Sequence, residues 1–208
     1  IVSGRTFEKG STLVVNGDSF MINGMNWDMI PIGKDAVNTN FWNKSDELIK
    51  AGLELEMSLL KQMNVNAIRH YSDIPSKWVQ YIFENYGIYT MLNHSFGRYG
   101  LTINGVWEPI TDYSDHNTQK VLLSEIETVV NKYKNTPGLL LYLLGNENNY
   151  GLFWSGAETE DFPEEESKKK AVGEKYGRPM YKLMNLAAKK IKELDSNHPV
   201  AICNGDDL

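Results

Sequence analysis

The sequence predicts an α/β fold built on a parallel sheet. Candidate strands and amphipathic helices alternate along the chain, which is the pattern of right-handed crossover units. Residues 139–144 form an unbroken apolar run, as expected for a central strand covered on both faces. The candidate strands also end in polar residues, and such ends carry the reacting groups in parallel α/β barrels.

Residues 1–24 are predicted to form a lead-in segment with a β-hairpin. Residues 13–15 and 20–22 flank Asn16-Gly17, a dipeptide that tolerates the positive φ of a tight turn. Five strands are then expected at residues 25–30, 65–71, 88–94, 139–144 and 200–203. Apolar residues spaced three or four apart predict helices at about 46–63, 76–86, 122–133 and 179–194, the last with Pro179 in its first turn.

Composition narrows the class of protein. A chain of 208 residues with 41% hydrophobic residues can bury a core without disulfide bonds or structural metal ions. Cys203 is the only cysteine, so no disulfide bond can form within the chain. The 21 basic and 27 acidic residues give a net charge of −6, which argues against nucleic acid or an anionic membrane as a partner. The longest apolar run is too short to span a bilayer. The oligomeric state stays open.

The strand spacing leaves two architectures open. Five strands starting near residues 25, 66, 88, 139 and 200 could complete a doubly wound sheet. An eight-stranded α/β barrel normally needs about 250 residues, so as a barrel the chain would cover roughly strands 1–5.

The fourth strand end carries the sharpest candidate for chemistry. The apolar run delivers Asn146 and Glu147 directly from a buried strand. A partly desolvated carboxyl group there could act as a general acid near neutral pH, although a turn or capping Glu would give the same dipeptide. Because successive side chains of a strand face opposite ways, both residues can serve one cleft only if the strand ends or bulges there.

Four strands together resemble one enzyme family. Residues 144–151, Leu-Gly-Asn-Glu-Asn-Asn-Tyr-Gly, resemble the L-G-N-E-S-G-Y/H-G signature of glycoside hydrolase family 2, which includes β-galactosidases and β-glucuronidases. Residues 135–138 resemble its N-H-P-S, residues 63–69 its M-x-x-x-N-x-V-R strand, residues 24–26 its first strand and residues 87–89 its G-I-Y strand.

The resemblance implies a (β/α)8 TIM barrel, with residues 25–208 as the N-terminal part of its catalytic domain. It implies a retaining hydrolase of carbohydrate O-glycosidic bonds, with no cofactor. Glu147 corresponds to the general acid/base, Asn146 to the residue at the sugar 2-hydroxyl and Arg69 to the arginine that orients the nucleophile. The nucleophile belongs to the seventh strand of the family, so we expect it downstream of Leu208 and expect this segment alone to be inactive.

The sequence also departs from the family. Residues 92–100 replace the D-E-A-N-x-E-x-H-G stretch that binds magnesium in β-galactosidases, and Gly97 and Tyr99 cannot replace its Glu and His. No metal site is therefore expected. Trp27-Asp28 replaces the usual R-H-E, so a β-galactoside substrate should not be assumed.

Further sugar-binding candidates follow from the strand ends. Aromatic rings can stack on sugars, and polar groups can bind sugar hydroxyls. Ordinary loop packing would equally explain each aromatic residue, and a hydrogen-bonded structural role would explain each histidine. These candidates are His94, His70, Trp27, Asp28, Trp154 and Tyr150, with Trp107 and Phe153 in similar loops. Asp206 or Asp207 could replace the missing nucleophile, but a downstream carboxylate is preferred.

Two other interpretations remain. A barrel that has lost its chemistry would bind carbohydrate only, and the doubly wound domain lacks a Gly-rich phosphate loop. The histidines lack a tight His-x-His spacing, which disfavours a metal-dependent hydrolase. Polymer-degrading relatives often act outside the cytoplasm, so the resemblance implies a periplasmic or extracellular location.

Overall fold

The computed structural model describes residues 2–7, 10–30, 40–152 and 163–205. The helices in these ranges are α1 (Asp46–Gln62), α2 (Ser76–Tyr86), α3 (His116–Tyr133) and α4 (Glu166–Leu194), and a short 3-10 helix covers Phe41–Asn43. The strands are β1 (Val2–Phe7), β2 (Gly10–Val15), β3 (Asp18–Ser19), β4 (Gly24–Asn26), β5 (Ala67–Tyr71), β6 (Tyr89–His94), β7 (Leu101–Ile103), β8 (Val106–Glu108), β9 (Leu139–Leu144) and β10 (Val200–Ile202).

The strands form three sheets. Strands β1, β2 and β3 make a small antiparallel sheet, and β7 pairs with β8 in an antiparallel hairpin. The main sheet has the order β10-β9-β6-β5-β4, and β5 runs parallel to both β4 and β6. The parallel α/β architecture predicted from the sequence is confirmed.

The chain forms two compact units. The first comprises Ile1–Asn93, Lys132–Tyr142 and Asn197–Pro199, and the second comprises His94–Asn131, Leu143–Ser196 and Val200–Leu208. In the first unit, one face of α1 is buried through Ile49, Leu53, Met57 and Leu60, and α2 buries Trp78, Val79 and Ile82. The predicted periodicity of both helices is confirmed, and Gly87 ends α2 in the left-handed conformation with φ 69°.

The second unit contains most of α3 and all of α4. Its helices bury the apolar residues Leu122, Ile126, Val130, Met180, Leu183, Met184, Ala187 and Ile191. At the surface, Lys190 Nζ on α4 lies 3.1 Å from Glu127 Oε2 on α3. Within the described ranges, no helix has both the length and the apolar character needed to cross a membrane.

Two helices begin earlier than the sequence predicted. The prediction that α4 begins near Pro179 is wrong, because the helix starts at Glu166 and contains Pro179 in its interior. Proline is costly there since it lacks an N–H, and the residues that follow it, Met180, Leu183 and Met184, are buried and supply the packing that compensates. Helix α3 starts directly after Asp115, whose carboxylate accepts a hydrogen bond from the Thr118 N–H at 2.7 Å.

The hairpins differ from the prediction in extent. The turn at Asn16-Gly17 has positive φ at both residues, 53° and 99°, as predicted, but the return strand β3 is only two residues long. Strand β1 and the β7–β8 hairpin were not predicted. The boundary at residue 24, between the lead-in segment and the catalytic domain, stays a prediction.

Candidate active site at the strand ends

Strand β9 ends in a left-handed turn. Gly145 has φ 80° and Glu147 has φ 57°, so the alternation of side chains stops at Leu144. Two backbone hydrogen bonds fix the turn: the Gly145 N–H donates to the His94 carbonyl at 2.8 Å and the Glu147 N–H to the Cys203 carbonyl at 2.9 Å. The strand therefore ends before Asn146 and Glu147, which is the condition for both side chains to serve one cleft.

The Glu147 side chain is exposed. The partial desolvation expected for its carboxyl group is not seen in this segment of the barrel. Within the described residues, its carboxylate has neither an ion-pair partner nor a hydrogen-bond donor close by. The group is thus accessible to a substrate in this structure.

Asn148 ties the turn to the loop that follows β6. Its buried amide Oδ1 accepts a hydrogen bond from the Asn146 N–H at 2.6 Å. Its Nδ2 donates to the Phe96 carbonyl at 3.0 Å and to the Tyr113 hydroxyl at 2.7 Å. Gly145 is required beside it, since a Cβ at that position would lie 2.6 Å from Asn148 Oδ1. The backbone around Glu147 is therefore held by a buried side chain.

Asn146 contacts a tyrosine from the same loop. Its Nδ2 donates to the Tyr99 hydroxyl at 2.6 Å. The resemblance aligns Tyr99 with a metal-binding His, and in this structure its hydroxyl supports the Asn146 amide. No sequence pattern indicated this contact, which joins residues 47 positions apart.

The end of β10 lies against Glu147. A Cβ at Gly205 would meet Glu147 Cβ at 2.8 Å, Glu147 Cγ at 3.0 Å and Tyr150 Cβ at 3.1 Å. The Gly205 N–H donates to Asn149 Oδ1 at 2.7 Å, which holds the two segments together. Tyr150 is half exposed beside Glu147, so one predicted sugar-binding residue adjoins the predicted acid.

His94 packs against helix α3. Its Nδ1 accepts a hydrogen bond from the Phe96 N–H at 3.1 Å, so the proton of the neutral ring is assigned to Nε2. Nε2 lies 3.3 Å from Glu125 Oε2, and only 12% of the side chain is exposed. This environment favours a structural role, and the sugar-binding role of His94 stays a prediction.

In the first unit, Arg69 is oriented by the next strand. Its Nε and Nη2 both donate to Asn93 Oδ1, at 3.0 and 2.9 Å. Its guanidinium also lies over the Tyr71 ring, 5.8 Å from the centroid. Asn93, which sequence analysis did not select, is fully buried. Asn93 thus holds the Arg69 guanidinium in the middle of β5, and the role of Arg69 in orienting the nucleophile stays a prediction.

His70 faces the opposite side of β5 from Arg69. Only 2% of His70 is exposed, and its ring packs against both Trp27 and Trp42, 5.5 Å from each ring centroid. Its Nδ1 lies 2.8 Å from the Tyr71 carbonyl, a contact that needs a proton on Nδ1. Trp42 gave no signal in the sequence, because it lies in a polar loop.

Asp28 contacts the same histidine. Its Oδ1 lies 3.4 Å from His70 Nε2, which is long for a hydrogen bond. The contact with His70 is nevertheless the main reason why the pKa of Asp28 is lowered, against the opposing effect of burial. The roles of Trp27, Asp28 and His70 in binding substrate stay predictions.

Four predicted residues cannot be compared with the structure. Trp154, Phe153, Asp206 and Asp207 are outside the described residues. Arg69 belongs to the first unit and Glu147 to the second, so their convergence stays a prediction. In the described ranges, no three His, Cys, Asp or Glu side chains are placed to hold a metal ion.

Comparison with known proteins identifies the family. Residues 8–204 match the family described as glycosyl hydrolases family 2, TIM barrel domain. A β-galactosidase of Lactococcus lactis is 28% identical over 148 residues, covering 69% of this chain and 13% of the relative. A probable 1,3-β-glucanosyltransferase of Saccharomyces cerevisiae, GAS3, is 32% identical over 90 residues, covering 42% of this chain and 16% of the relative.

The fold comparison agrees. A Bacteroides uniformis β-glucuronidase 3 structure matches with a TM-score of 0.60 and 20% identity, covering 97% of this chain and 20% of that one. The chain is a TIM-barrel segment with a parallel five-stranded sheet. It belongs to glycosyl hydrolase family 2, and it spans only 13% of the length of the β-galactosidase relative.

Proposed function

We propose that this protein is a retaining glycoside hydrolase that cleaves O-glycosidic bonds of a carbohydrate, with Glu147 as general acid/base. The observation that carries the proposal is the turn at the end of β9. It presents an accessible carboxylate beside Asn146, on the residues that resemble the family signature. Family membership and the β-galactosidase relatives support the reaction class.

The proposed chemistry uses Glu147 twice. In the first step its carboxyl proton goes to the glycosidic oxygen as the C–O bond breaks, while a second carboxylate attacks the anomeric carbon. In the second step the Glu147 carboxylate takes a proton from the water that hydrolyses the glycosyl-enzyme. The resemblance assigns the second carboxylate to the seventh strand of the barrel.

Asn146 and Arg69 would act on the substrate and the nucleophile. A hydrogen bond from Asn146 to the sugar 2-hydroxyl would strengthen as charge develops in the transition state. The contact with Tyr99 would hold the Asn146 amide in place, and the contact with Asn93 would hold the Arg69 guanidinium. Both contacts pre-organise polar groups, which lowers the cost of reaching the transition state.

The test is the substitution Glu147→Gln in the complete protein. The wild-type protein is first assayed on 2,4-dinitrophenyl galactoside, glucuronide, glucoside and mannoside. With the sugar that is cleaved, Glu147→Gln should slow turnover of an alkyl glycoside by about 10²–10⁴-fold, because its leaving group needs a proton. The burst of dinitrophenol should be retained, since this leaving group departs unprotonated.

Glu193→Gln is the matched control, because Glu193 is an exposed glutamate on α4. An equal loss of kcat/KM, which reports the first step, on both substrates in Glu147→Gln would contradict the acid role. Absence of turnover by the wild-type protein on all four sugars, together with carbohydrate binding, would favour the alternative of a carbohydrate-binding barrel without chemistry.

A transfer reaction is a second candidate. The yeast relative is described as a probable glucanosyltransferase. Transfer would use the same glycosyl-enzyme, with a sugar hydroxyl in place of water, and Glu147 would deprotonate that hydroxyl. Product analysis distinguishes the reactions, because transfer yields oligosaccharides longer than the substrate and hydrolysis yields only shorter ones.

A further inference from the structure

The β7–β8 hairpin presents an aromatic side chain to solvent. Asn104 and Gly105 form its turn with positive φ, 51° and 82°. Trp107 lies on β8 opposite Thr102, and Trp107 is 58% exposed. Burial of an indole is strongly favourable, so an indole that stays exposed on an ordered hairpin is a candidate for ligand contact.

The segment that follows the hairpin is hydrogen-bonded to the loop that follows β6. The Thr111 hydroxyl donates to the Gly97 carbonyl at 2.6 Å, and the Tyr113 hydroxyl donates to the Phe96 carbonyl at 2.8 Å. The Phe96 and Tyr113 rings are stacked, with centroids 6.1 Å apart. The segment that follows β8 is therefore held against the residues that follow β6.

The indole of Trp107 packs directly against the backbone of Gly100. The φ of Gly100 is 95°, and a Cβ there would lie 2.5 Å from Trp107 Cζ2 and 2.8 Å from the Glu108 carbonyl oxygen. Only glycine allows the indole to lie this close to the backbone. Gly100 directly follows Tyr99, which is also 58% exposed and whose ring lies 5.9 Å below the Arg98 guanidinium.

Tyr99 connects this surface to the proposed acid. Its hydroxyl accepts the hydrogen bond from Asn146 at 2.6 Å, and Asn146 precedes Glu147. The two exposed rings, Tyr99 and Trp107, are called the aromatic platform below. The platform thus adjoins the side chains that would act on the cleaved bond.

We propose that the aromatic platform binds a pyranose ring of an oligosaccharide, next to the sugar whose bond is cleaved. The proposal rests on the proposed function. The exposed indole of Trp107 matches the apolar face of one sugar, whereas a stable protein partner needs about 800 Å² on each side. Arg98, whose guanidinium lies over the Tyr99 ring, and Glu108, which follows Trp107 on β8, can bind sugar hydroxyls.

The test compares substrates of different length in the complete protein. The value of kcat/KM is measured for a tetrasaccharide and for an aryl monoglycoside of the same sugar. In Trp107→Ala, the ratio of the two values should fall about tenfold, because only the longer substrate reaches the platform. Trp107→Phe should restore most of the ratio, since it keeps an aromatic face.

Val106→Ala is the matched control. Val106 is 59% exposed on the same strand, but it faces the other side of the hairpin. Its ratio should equal that of the wild type. An unchanged ratio in a Trp107→Ala protein with wild-type melting temperature would overturn the platform, and so would an equal fall in Val106→Ala.

If the wild-type protein is inactive, the proposed function is contradicted and the kinetic ratio cannot be measured. The aromatic platform is then tested by calorimetric titration of the wild type and of Trp107→Ala with laminaritetraose and β-1,4-galactotetraose. Binding that weakens about tenfold in Trp107→Ala supports the platform. Binding that is equal in both proteins, or undetectable in the wild type, overturns it.

Discussion

Among the described residues, five non-glycine residues have positive φ, and three of them are asparagines, which tolerate it. The other two are Phe96 and Glu147, which both belong to the candidate site in the second unit. A left-handed conformation costs such residues about 1–2 kcal/mol, so neighbouring contacts must hold it. Asn148 is hydrogen-bonded to the Phe96 carbonyl and to the Asn146 N–H next to Glu147, and the Cys203 carbonyl accepts a hydrogen bond from the Glu147 N–H.

Asn148 is therefore expected to matter for stability and for activity. Asn148→Ala removes the bonds to Asn146, Phe96 and Tyr113, and should lower the free energy of unfolding by about 2–3 kcal/mol. Urea denaturation measures this loss. Asn148→Asp should be no better, because a carboxylate oxygen would face the Phe96 carbonyl. A loss below 0.5 kcal/mol in both variants would contradict the assignment.

At the scale of elements, glycine controls how closely β9 approaches α2. Gly138 precedes β9 with φ 88°, and a Cβ there would lie 2.3 Å from Phe83 Cβ on α2. Its carbonyl accepts a hydrogen bond from the Thr90 N–H at 2.8 Å, which pairs the start of β9 with β6. The central strand can take its place only because this position has no side chain.

Gly138→Ala and Gly87→Ala separate steric exclusion from backbone strain. Both glycines are left-handed, but nothing lies within 4 Å of a Cβ at Gly87. Gly87→Ala should lower the free energy of unfolding by about 1 kcal/mol through strain alone. Gly138→Ala should cost about 3 kcal/mol or more, since Phe83 Cβ cannot move without α2. Equal losses in urea denaturation would refute the steric explanation.

At the scale of the whole molecule, the buried hydroxyl of Tyr113 makes the free energy of unfolding depend on pH in the alkaline range. Burial raises the pKa of Tyr113 to about 12 from 10.0. Between these values the unfolded chain loses the proton and the folded chain keeps it. The contribution of this hydroxyl is therefore complete below pH 10 and is lost as the pH rises through about 12.

Tyr113→Phe tests this dependence. At pH 8 the variant should be less stable than the wild type, because it loses the hydroxyl contacts with Phe96 and Asn148. As the pH rises from 10 to 12, the difference should shrink by about 2 kcal/mol. Urea denaturation across this range measures it, and the other tyrosines with raised pKa values contribute equally to both proteins. A constant difference would contradict the burial of the hydroxyl.

The elements that the sequence predicted well are those with local signals. Helices α1 and α2 follow from their apolar spacing, and Gly87 marks the end of α2. The start of α4 was missed because Pro179 was taken as a boundary, although a helix tolerates proline where packing compensates. The β7–β8 hairpin was missed because its strands are three residues long.

The sequence by itself determined the order of the five strands of the main sheet and of the four helices, and the residues of the family signature, since all of these depend on local spacing and residue type. Only the tertiary structure decided the left-handed turn at Glu147, the hydrogen bond of Asn146 to Tyr99 and the place of Trp107 beside Gly100. These features depend on contacts between segments far apart in the chain. Their energies come from packing and hydrogen-bond geometry, which no local pattern encodes.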